Sequence, residues 1–350
     1  MSNGRTRVAV NGYGVIGKRV AEAVVLQDDM ELAGVADVTS DWRMQVADRK
    51  GMRIHAAVPK ASAAMTANGI DVAGNLDELL AAADVVVDCT PKKVAAANVE
   101  TYRRMGKKFI LQGGEKHDVT GHSFVAECSY GSALGREATR VVSCNTTSIV
   151  RTLSALKRVG LLRKARGTLL RRATDPWESH LGGIMNTLVP EPEIPSHQGP
   201  DAKTVDPGLD VVTMAVKVPQ TLSHLHYWNV ELTRPAAKEE VLDAFRESSR
   251  IALVRIDRGV AALNAVKEWM LDIGRPHGDL YEVALWEDML KVDGSELYYA
   301  YMVDNQAIVI PETIDAIRAL AGSETDGEAS MARTDASLGI GRLAHPKEPR

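Results

Sequence analysis

The stretch Arg7-Val-Ala-Val-Asn-Gly-Tyr-Gly-Val-Ile-Gly17 decides the fold class of this chain. Its β-branched run ends at a glycine, and the apolar residues of Lys18–Leu26 then recur at helical spacing. Gly12, Gly14 and Gly17 have the G-x-G-x-x-G spacing of a dinucleotide-binding turn between a strand and a helix. Such a turn lets the pyrophosphate approach the backbone and the helix N-terminus. The alternative is a turn that is merely tight.

Further strands and helices alternate up to residue 143, which favours a parallel sheet with crossover helices. The sequence therefore predicts an α/β fold with a Rossmann-type doubly wound parallel sheet. The strands are predicted at Met30–Asp37, Asp84–Pro91, Lys108–Gln112 and Thr139–Ser143, and the helices at Leu76–Ala83 and Val94–Gly106.

From residue 144 onward the pattern changes. Val211–Val218 and Trp228–Thr233 alternate with period two, as half-buried antiparallel strands do. We expect a dinucleotide-binding domain over 1–143 and a catalytic α+β domain with a largely antiparallel sheet over 144–303. A C-terminal helical segment, about 304–343, should complete the first domain. Within it, Pro311–Leu320 is amphipathic, and the polar tail beyond Gly322 is either a weak helix over Ser330–Leu343 or disordered.

Bulk properties exclude several classes of protein. The chain has 350 residues, 45% of them hydrophobic, and a formal net charge of -4, which provides no global attraction for nucleic acid. No apolar stretch is long enough to cross a membrane, and the N-terminus does not read as a secretory signal. The three cysteines do not suggest a disulfide framework. We expect a soluble, unprocessed, cytoplasmic protein.

Asp37 ends the second predicted strand about 20 residues after the glycine-rich turn. An acidic side chain there hydrogen-bonds the adenosine ribose and repels a 2′-phosphate. The sequence therefore predicts NAD over NADP. Two alternatives are that Asp37 only caps a turn, or that a basic neighbour such as Arg43 admits the phosphate.

Cys144 is the candidate nucleophile. It follows the strand Thr139–Ser143 and opens a helix, where the dipole and unsatisfied N–H groups should lower the pKa of a thiol and could hold an oxyanion. A cysteine among small polar residues can also simply pack in a core. Cys89 and Cys128 have no comparable surroundings.

A thiolate needs a proton acceptor, and histidine suits neutral pH. His224 and His226 alternate along a predicted strand, so both should lie on one face. A zinc pair is the alternative, but no cysteine or acidic cluster accompanies them, so we predict no metal. The spacing leaves open which histidine acts.

These residues resemble those of the archaeal-type (class II) phosphorylating glyceraldehyde-3-phosphate dehydrogenases. The resemblance extends over nearly the whole chain. It rests on motifs that occur in order, namely Asn11–Val20, Asp88–Pro91, Gln112–His117, Val141–Thr147, Arg171–Pro176, Pro195–Thr204, Asp210–Pro219 and Ile310–Glu312.

The resemblance implies that Cys144 is the nucleophile and His224 its general base. It implies cofactor contacts at Val15, Ile16, Gly114 and Arg172. These join Gly12, Gly14, Gly17 and Asp37, which the residue pattern itself predicts, and Asn305, which keeps the amide of a family cofactor contact. It implies substrate contacts at Ser143, Cys144, Asn145, Thr146, Arg171, His197, Gln198 and Gly199, with chemical type also favouring Arg171 and His197 as phosphate partners. Thr147 and Lys203 complete the pool of residues for the two required anion sites.

Three departures from the family pattern stand out. Gln198 replaces a histidine, which turns a cationic phosphate contact into a neutral amide. Family members commonly carry a lysine near the position of Asp37, and such a lysine suits NADP. The acidic residue here is in keeping with a switch to NAD. Asn305 replaces a glutamine in the nicotinamide region and keeps the amide one methylene shorter.

The implied reaction is reversible oxidation of D-glyceraldehyde 3-phosphate with NAD(P) and phosphate to 1,3-bisphosphoglycerate, a step of glycolysis and gluconeogenesis. The implied assembly is a homotetramer built through sheets of the second domain. Two alternatives remain open. One is another Cys-dependent semialdehyde or acyl-phosphate reductase, and the other is a non-catalytic dinucleotide-binding redox sensor.

Overall fold

A computed structural model describes residues 4–112, 114–180, 184, 186–341 and 343. The chain divides into two compact units. The first comprises the residues up to Ser143 together with Ile310–Leu338, and the second comprises Cys144–Val309 with the residues from Gly339 onward. Each is described separately.

The first unit contains one eight-stranded sheet with strand order β4-β3-β2-β1-β5-β6-β8-β7, and all its pairings are parallel. Its strands are β1 (Thr6–Asn11), β2 (Met30–Asp37), β3 (Ile54–Ala56), β4 (Val72–Asn75), β5 (Val85–Asp88), β6 (Lys108–Leu111), β7 (Ser123–Phe124) and β8 (Ala138–Val141). Its helices up to residue 143 are α1 (Val15–Val25), α2 (Trp42–Arg49), α3 (Pro59–Ala67), α4 (Leu76–Ala82), α5 (Lys92–Arg104), α6 (His117–Thr120) and α7 (Ala126–Ala133).

This sheet confirms the predicted fold class. Strand β1 lies at its centre between β2 and β5, and Val8–Val10 and Val85–Val87 are fully buried, which explains their uninterrupted apolar runs. The segment 42–75 folds into α2, β3, α3 and β4, which the sequence did not predict. Strands of three or four residues are too short to show a period.

Two helices, α12 (Val309–Ala321) and α13 (Gly327–Leu338), form the C-terminal part. Helix α12 begins two residues before Pro311. For the polar tail the sequence left a weak helix or disorder open, and the structure has helix α13 there. Arg318 of α12 is fully buried and donates to Asp29, Gln27 and Thr334. This network anchors both helices within the first unit.

The second unit contains a mixed, largely antiparallel sheet of order β10-β11-β9-β12-β16-β14-β13, with β15 paired to β16. Its strands are β9 (Leu162–Arg172), β10 (Val189–Pro190), β11 (Val211–Val218), β12 (His224–Leu232), β13 (Ile251–Val254), β14 (Val283–Trp286), β15 (Lys291–Asp293) and β16 (Glu296–Val303). Its helices are α8 (Cys144–Arg158), α9 (Gln198–Val205), α10 (Lys238–Arg246) and α11 (Leu263–Asp272).

The expectation that Val211–Val218 pairs antiparallel needs a correction, because β11 is parallel to β9. The reason is the connection between them, which passes through α9 and so crosses back to the same end of the sheet. Strand β12 is antiparallel to both of its neighbours, β9 and β16, as predicted.

Helix α8 is the buried helix of this unit, with Asn145 through Leu156 all buried. Even Arg151 is fully buried, and its guanidinium donates to the carbonyl oxygens of Tyr281 and Ile308. The N-terminus of α8, and Cys144 with it, is therefore held on a rigid element. No helix in the described part of the chain is long and apolar enough to span a bilayer.

Candidate active site

The glycine-rich turn between β1 and α1 has the shape that a pyrophosphate requires. Gly12 has a φ of +93°, and a Cβ there would lie 2.9 Å from backbone atoms of Cys89 and Thr90. A Cβ at Gly17 would lie 1.9 Å from the carbonyl oxygen of Gly12, whereas a Cβ at Gly14 would meet nothing within 4 Å. The N-cap residue of α1 is Gly14, which provides no side-chain cap. Two glycines therefore allow close packing, and the third leaves open space in front of a helix N-terminus, which fits a bound dinucleotide.

Other predicted cofactor contacts of the first unit lie on exposed or partly exposed backbone. Val15 and Ile16 form the first turn of α1 and are partly buried. Gly114 has a φ of +80° with open space where a Cβ would be. All three positions can offer backbone groups to a ligand.

Asp37 closes β2, and its carboxylate holds the glycine-rich turn. Oδ2 accepts the Tyr13 backbone N–H at 2.6 Å, and Oδ1 accepts from Val38 and Thr39 at 2.7 and 2.9 Å. The turn-capping role is therefore real, and Oδ2 retains accepting capacity for a ribose hydroxyl. Arg43, the basic alternative, is bound by Asp41 at 2.6 Å.

Cys144 and His224 meet in the second unit. Cys144 is the first residue of α8, and His224 is the first residue of β12. Cys144 Sγ lies 3.4 Å from His224 Nε2. His224 and His226 are both buried, which confirms that they share one face of the strand. Of the two histidines, His224 is the one within hydrogen-bond distance of the sulfur, so the geometry favours it as the partner of Cys144.

The expectation of a lowered thiol pKa needs a correction. Burial raises the pKa of Cys144 to about 11, although Arg172, the Asn145 backbone N–H and Arg171 oppose it. Burial also lowers the pKa of His224 well below its ordinary value, with the neighbouring His226 adding to the effect. Both groups are therefore neutral at pH 7 in the isolated protein.

The tautomer of His224 follows from its second hydrogen bond. The Arg172 backbone N–H donates to His224 Nδ1 at 3.1 Å. Because Nδ1 accepts, the single proton of the neutral ring lies on Nε2 and is directed at sulfur. In this tautomer His224 Nε2 donates a hydrogen bond to Cys144. To act as a base, Nε2 would need a free lone pair, and the ring proton would have to lie on Nδ1.

Arg172 and Asn305, two predicted cofactor contacts of the second unit, converge on Asp175. The Arg172 guanidinium lies 3.1 Å from Asp175 Oδ1, and Asn305 Nδ2 donates to the same oxygen at 3.0 Å. Gln306 adds a third contact at 3.3 Å. The hydrogen bond from Asn305 Nδ2 to Asp175 thus fixes the orientation of the amide. This orientation leaves Oδ1 to accept from a carboxamide.

Several polar groups lie around the start of α9. Gln198 is fully buried, and both of its amide atoms lack a hydrogen-bond partner among the described residues. The Arg171 guanidinium is paired with Glu191, and the exposed His197 lies 3.9 Å from that carboxylate. The Gly199 backbone N–H donates to Thr213 at 3.0 Å. Arg171 and His197 therefore lie close to the same carboxylate, whereas the Gly199 N–H already donates to Thr213.

The residues after Cys144 are mostly enclosed. Thr146 is fully buried and donates to Asp201 at 2.9 Å, and Thr147 is also fully buried. Ser143 is partly exposed, and Lys203 on α9 is exposed. No cluster of three or more metal-ligating side chains occurs in the described ranges.

Two family models match this chain. Residues 143–267 match the glyceraldehyde 3-phosphate dehydrogenase C-terminal domain, and residues 6–114 match the dihydrodipicolinate reductase N-terminus. The chain is 43% identical to the glyceraldehyde-3-phosphate dehydrogenase of Methanobrevibacter smithii, over 95% of this chain and 99% of that protein. It is 45% identical to that of Methanococcoides burtonii (96% and 99% covered) and 44% identical to that of Metallosphaera sedula (96% and 98%).

The chain belongs to the glyceraldehyde-3-phosphate dehydrogenase family. The resemblance to the archaeal type is confirmed, and the chain is an NAD(P)-dependent oxidoreductase.

Sequence reasoning missed several residues that contact the candidate site residues. Asp175 lies within the motif Arg171–Pro176, so a carboxylate beside two arginines was a usable signal. Glu191 and Asp201 carried no such signal, because their contacts with Arg171 and Thr146 join segments that are 20 and 55 residues apart.

Proposed function

We propose that this chain is a phosphorylating glyceraldehyde-3-phosphate dehydrogenase that works through a thioester on Cys144. The observation that carries the proposal is the 3.4 Å contact between Cys144 Sγ and His224 Nε2 at the N-terminus of a buried helix. The substrates are D-glyceraldehyde 3-phosphate, NAD(P) and inorganic phosphate, and the product is 1,3-bisphosphoglycerate.

The cycle begins when the Cys144 thiol loses its proton to solvent and the sulfur adds to the aldehyde carbon, which leaves the oxygen negative. NAD(P)⁺ supplies the hydride acceptor. Hydride departs from the tetrahedral carbon, the carbonyl re-forms, and a thioester remains on Cys144. Phosphate oxygen then attacks that carbonyl, and the carbon–sulfur bond breaks to regenerate the thiolate.

His224 has two candidate roles, which differ in the direction of the proton. As the general base implied by the family, Nε2 takes the hydroxyl proton during hydride transfer, and the ring proton must then lie on Nδ1. As a donor, Nε2–H stabilises first the thiolate and then the alkoxide. The Arg172 N–H that points at Nδ1 favours the donor role.

The phosphate groups need cations and N–H donors, and Arg171, His197 and Gln198 would supply them. A buried amide without partners among the described residues loses free energy unless a ligand satisfies it. We propose that a substrate phosphate accepts from Gln198 and replaces Glu191 at Arg171, with His197 adding charge. Ser143, Asn145 and Thr146 form the wall beside the nucleophile.

The proposed cofactor preference is NAD. The Asp37 carboxylate at the end of β2 would repel a 2′-phosphate, and Asp41 already binds the charge of Arg43. Gly12, Gly14 and Gly17, with Val15 and Ile16, hold the pyrophosphate. Gly114, Arg172 and Asn305 are further proposed cofactor contacts.

The proposed assembly is a cytoplasmic homotetramer formed through the exposed face of the second unit's sheet. Met214, Tyr227 and Tyr298 are 45%, 43% and 37% exposed there, and an apolar sheet face of this kind favours a second copy of the chain. Sedimentation equilibrium measures the mass, and a monomer at micromolar concentration would contradict this assembly.

Cys144→Ser tests the proposal. With glyceraldehyde 3-phosphate, phosphate and NAD, the unchanged chain should produce NADH, and the variant should lose at least about 10³-fold in kcat while still binding NAD. Aspartate semialdehyde and an N-acetylglutamyl semialdehyde serve as competing substrates. A preference for either of these, or full activity without Cys144, would remove the proposal.

A further inference from the structure

Three buried polar side chains form a hydrogen-bonded chain that ends at the nucleophile. Tyr301 and His226 are fully buried on the paired strands β16 and β12, where they lie opposite each other, and Asn145 of α8 is 4% exposed. The Tyr301 hydroxyl lies 3.0 Å from His226 Nδ1, and His226 Nε2 lies 2.8 Å from Asn145 Oδ1. Asn145 Nδ2 then lies 3.9 Å from Cys144 Sγ.

Each bond in this chain has one direction. An amide oxygen can only accept, so His226 donates from Nε2. Burial, with a contribution from the charge of Arg171, lowers the pKa of His226 to about 3, so the ring is neutral and carries no second proton. Nδ1 therefore accepts, and the Tyr301 hydroxyl donates to it. The series of hydrogen bonds runs from the Tyr301 hydroxyl through the His226 imidazole to the Asn145 amide. It leaves the amide N–H facing the sulfur.

We propose that Tyr301 and His226 are positioning residues that lock the Asn145 amide with its N–H, rather than its carbonyl oxygen, toward the Cys144 sulfur. An amide rotated by half a turn would direct lone pairs at the sulfur and disfavour a thiolate. The locked amide favours the thiolate instead. The consequence for turnover rests on the proposed function, whereas the effect on the thiol does not.

Other groups also act on this sulfur, and the test must leave them unchanged. His224 contacts it from β12, Arg171 and Arg172 face it from β9, Asp304 acts from the segment after β16, and the Asn145 backbone N–H donates from α8. Removing the Tyr301 hydroxyl leaves all of these groups in place.

The experiment compares Tyr301→Phe with Tyr299→Phe in the full chain. Tyr299 lies on the same strand, is 2% exposed and stacks on Tyr301 with ring centroids 6.0 Å apart. Its hydroxyl has no partner among the described residues, so Tyr299→Phe controls for the loss of a buried hydroxyl that holds no other group. Iodoacetamide alkylation of the Cys144 peptide, followed by mass spectrometry across pH, reports thiolate formation.

Tyr301→Phe should make alkylation about tenfold slower at any fixed pH between about 7 and 9, because a rise of one unit in the thiol pKa lowers the thiolate fraction tenfold. Tyr299→Phe should match the unchanged chain. A second arm compares His226→Gln, whose amide can still donate to Asn145 Oδ1, with His226→Phe, and only the latter should reproduce the slower alkylation. Equal profiles for the two tyrosine variants, or for the two histidine variants, would overturn the proposal.

Asn145→Ala, alone and combined with Tyr301→Phe, tests the route of the effect. If Tyr301 acts through the amide, the double variant should match Asn145→Ala, and additive effects would contradict that route. Oxidation of glyceraldehyde 3-phosphate is measured separately. Slower alkylation of Tyr301→Phe, in a chain that does not oxidise this aldehyde, leaves the positioning role standing and refutes only the proposed function.

Discussion

At the scale of single residues, Cys144 is subject to opposing electrostatic effects. It lies at a helix N-terminus beside Arg171 and Arg172, which favour a thiolate, and it is also largely enclosed by protein. Desolvation is the larger effect and raises the pKa of the thiol to about 11. Ionisation therefore depends on donors close to the sulfur, above all the Nε2–H of His224.

The donor role of His224 predicts a graded response to substitution. His224→Ala should lower kcat by about 10³-fold, whereas His224→Gln, which keeps an N–H near the Nε2 position but cannot take a proton, should retain about tenfold more activity than alanine. Stopped-flow measurement of hydride transfer checks this, with cofactor binding by fluorescence as the control. Equal loss in the two variants would assign the base role instead.

The proposed preference for NAD rests on Asp37. Asp37→Asn keeps an oxygen to accept from the Tyr13 N–H but removes the charge that repels a 2′-phosphate. The ratio of kcat/KM for NADP to that for NAD should rise by about tenfold. Asp84→Asn is the control, because it removes the same charge just before the start of β5, whereas Asp37 lies at the end of β2. It should leave the ratio unchanged. An unchanged ratio in Asp37→Asn would refute the preference argued from this carboxylate.

At the scale of secondary-structure elements, the turn between β1 and α1 separates packing from ligand binding. Gly17 lies against the carbonyl oxygen of Gly12, so its missing side chain lets the helix start close to the strand. Gly14 faces open space, so the absence of a side chain there matters for the approach of a ligand and not for packing within the unit. Two glycines of one motif thus have different functions.

This difference predicts that alanine at Gly17 lowers stability, whereas alanine at Gly14 weakens cofactor binding. Gly17→Ala places a Cβ 1.9 Å from a backbone oxygen and should destabilise the first unit by about 3 kcal/mol or more. Gly14→Ala should melt close to the unchanged chain but weaken NAD binding at least about tenfold. Thermal melting and titration calorimetry measure the two quantities. Normal NAD affinity in Gly14→Ala would contradict the assignment of the open space to the pyrophosphate.

At the scale of the whole molecule, the buried neutral histidines couple stability to pH. Burial places the pKa of His224 well below its ordinary value and that of His226 at about 3. Unfolded chains bind a proton at each near pH 6.5. The unfolded state therefore takes up protons first, and the stability that these groups contribute is complete above about pH 6.5 and falls as the pH drops below it.

We expect each histidine to contribute up to about 1.4 kcal/mol of lost stability per pH unit below about pH 6. Urea unfolding followed between about pH 7 and pH 4.5 measures the slope. His226→Gln should reduce it, and the exposed His180→Gln should not. Identical slopes for the two variants would show that His226 is protonated in the folded chain.

Sequence alone was sufficient for the features that depend on local pattern. The glycine spacing predicted the β1–α1 turn, the apolar runs predicted β2 and β5, and period two placed His224 and His226 on one face of β12. These features depend on neighbours a few residues apart, so the order of residues specifies them directly.

Only the tertiary structure decided which histidine meets the sulfur, that β11 runs parallel to β9, and that burial outweighs the helix dipole at Cys144. It also decided the partners Asp175, Glu191 and Tyr301. Distances and desolvation depend on segments that are far apart in the chain, such as α8, β12 and β16. Residue order does not state how closely these segments approach, and that approach determines the chemistry of the site.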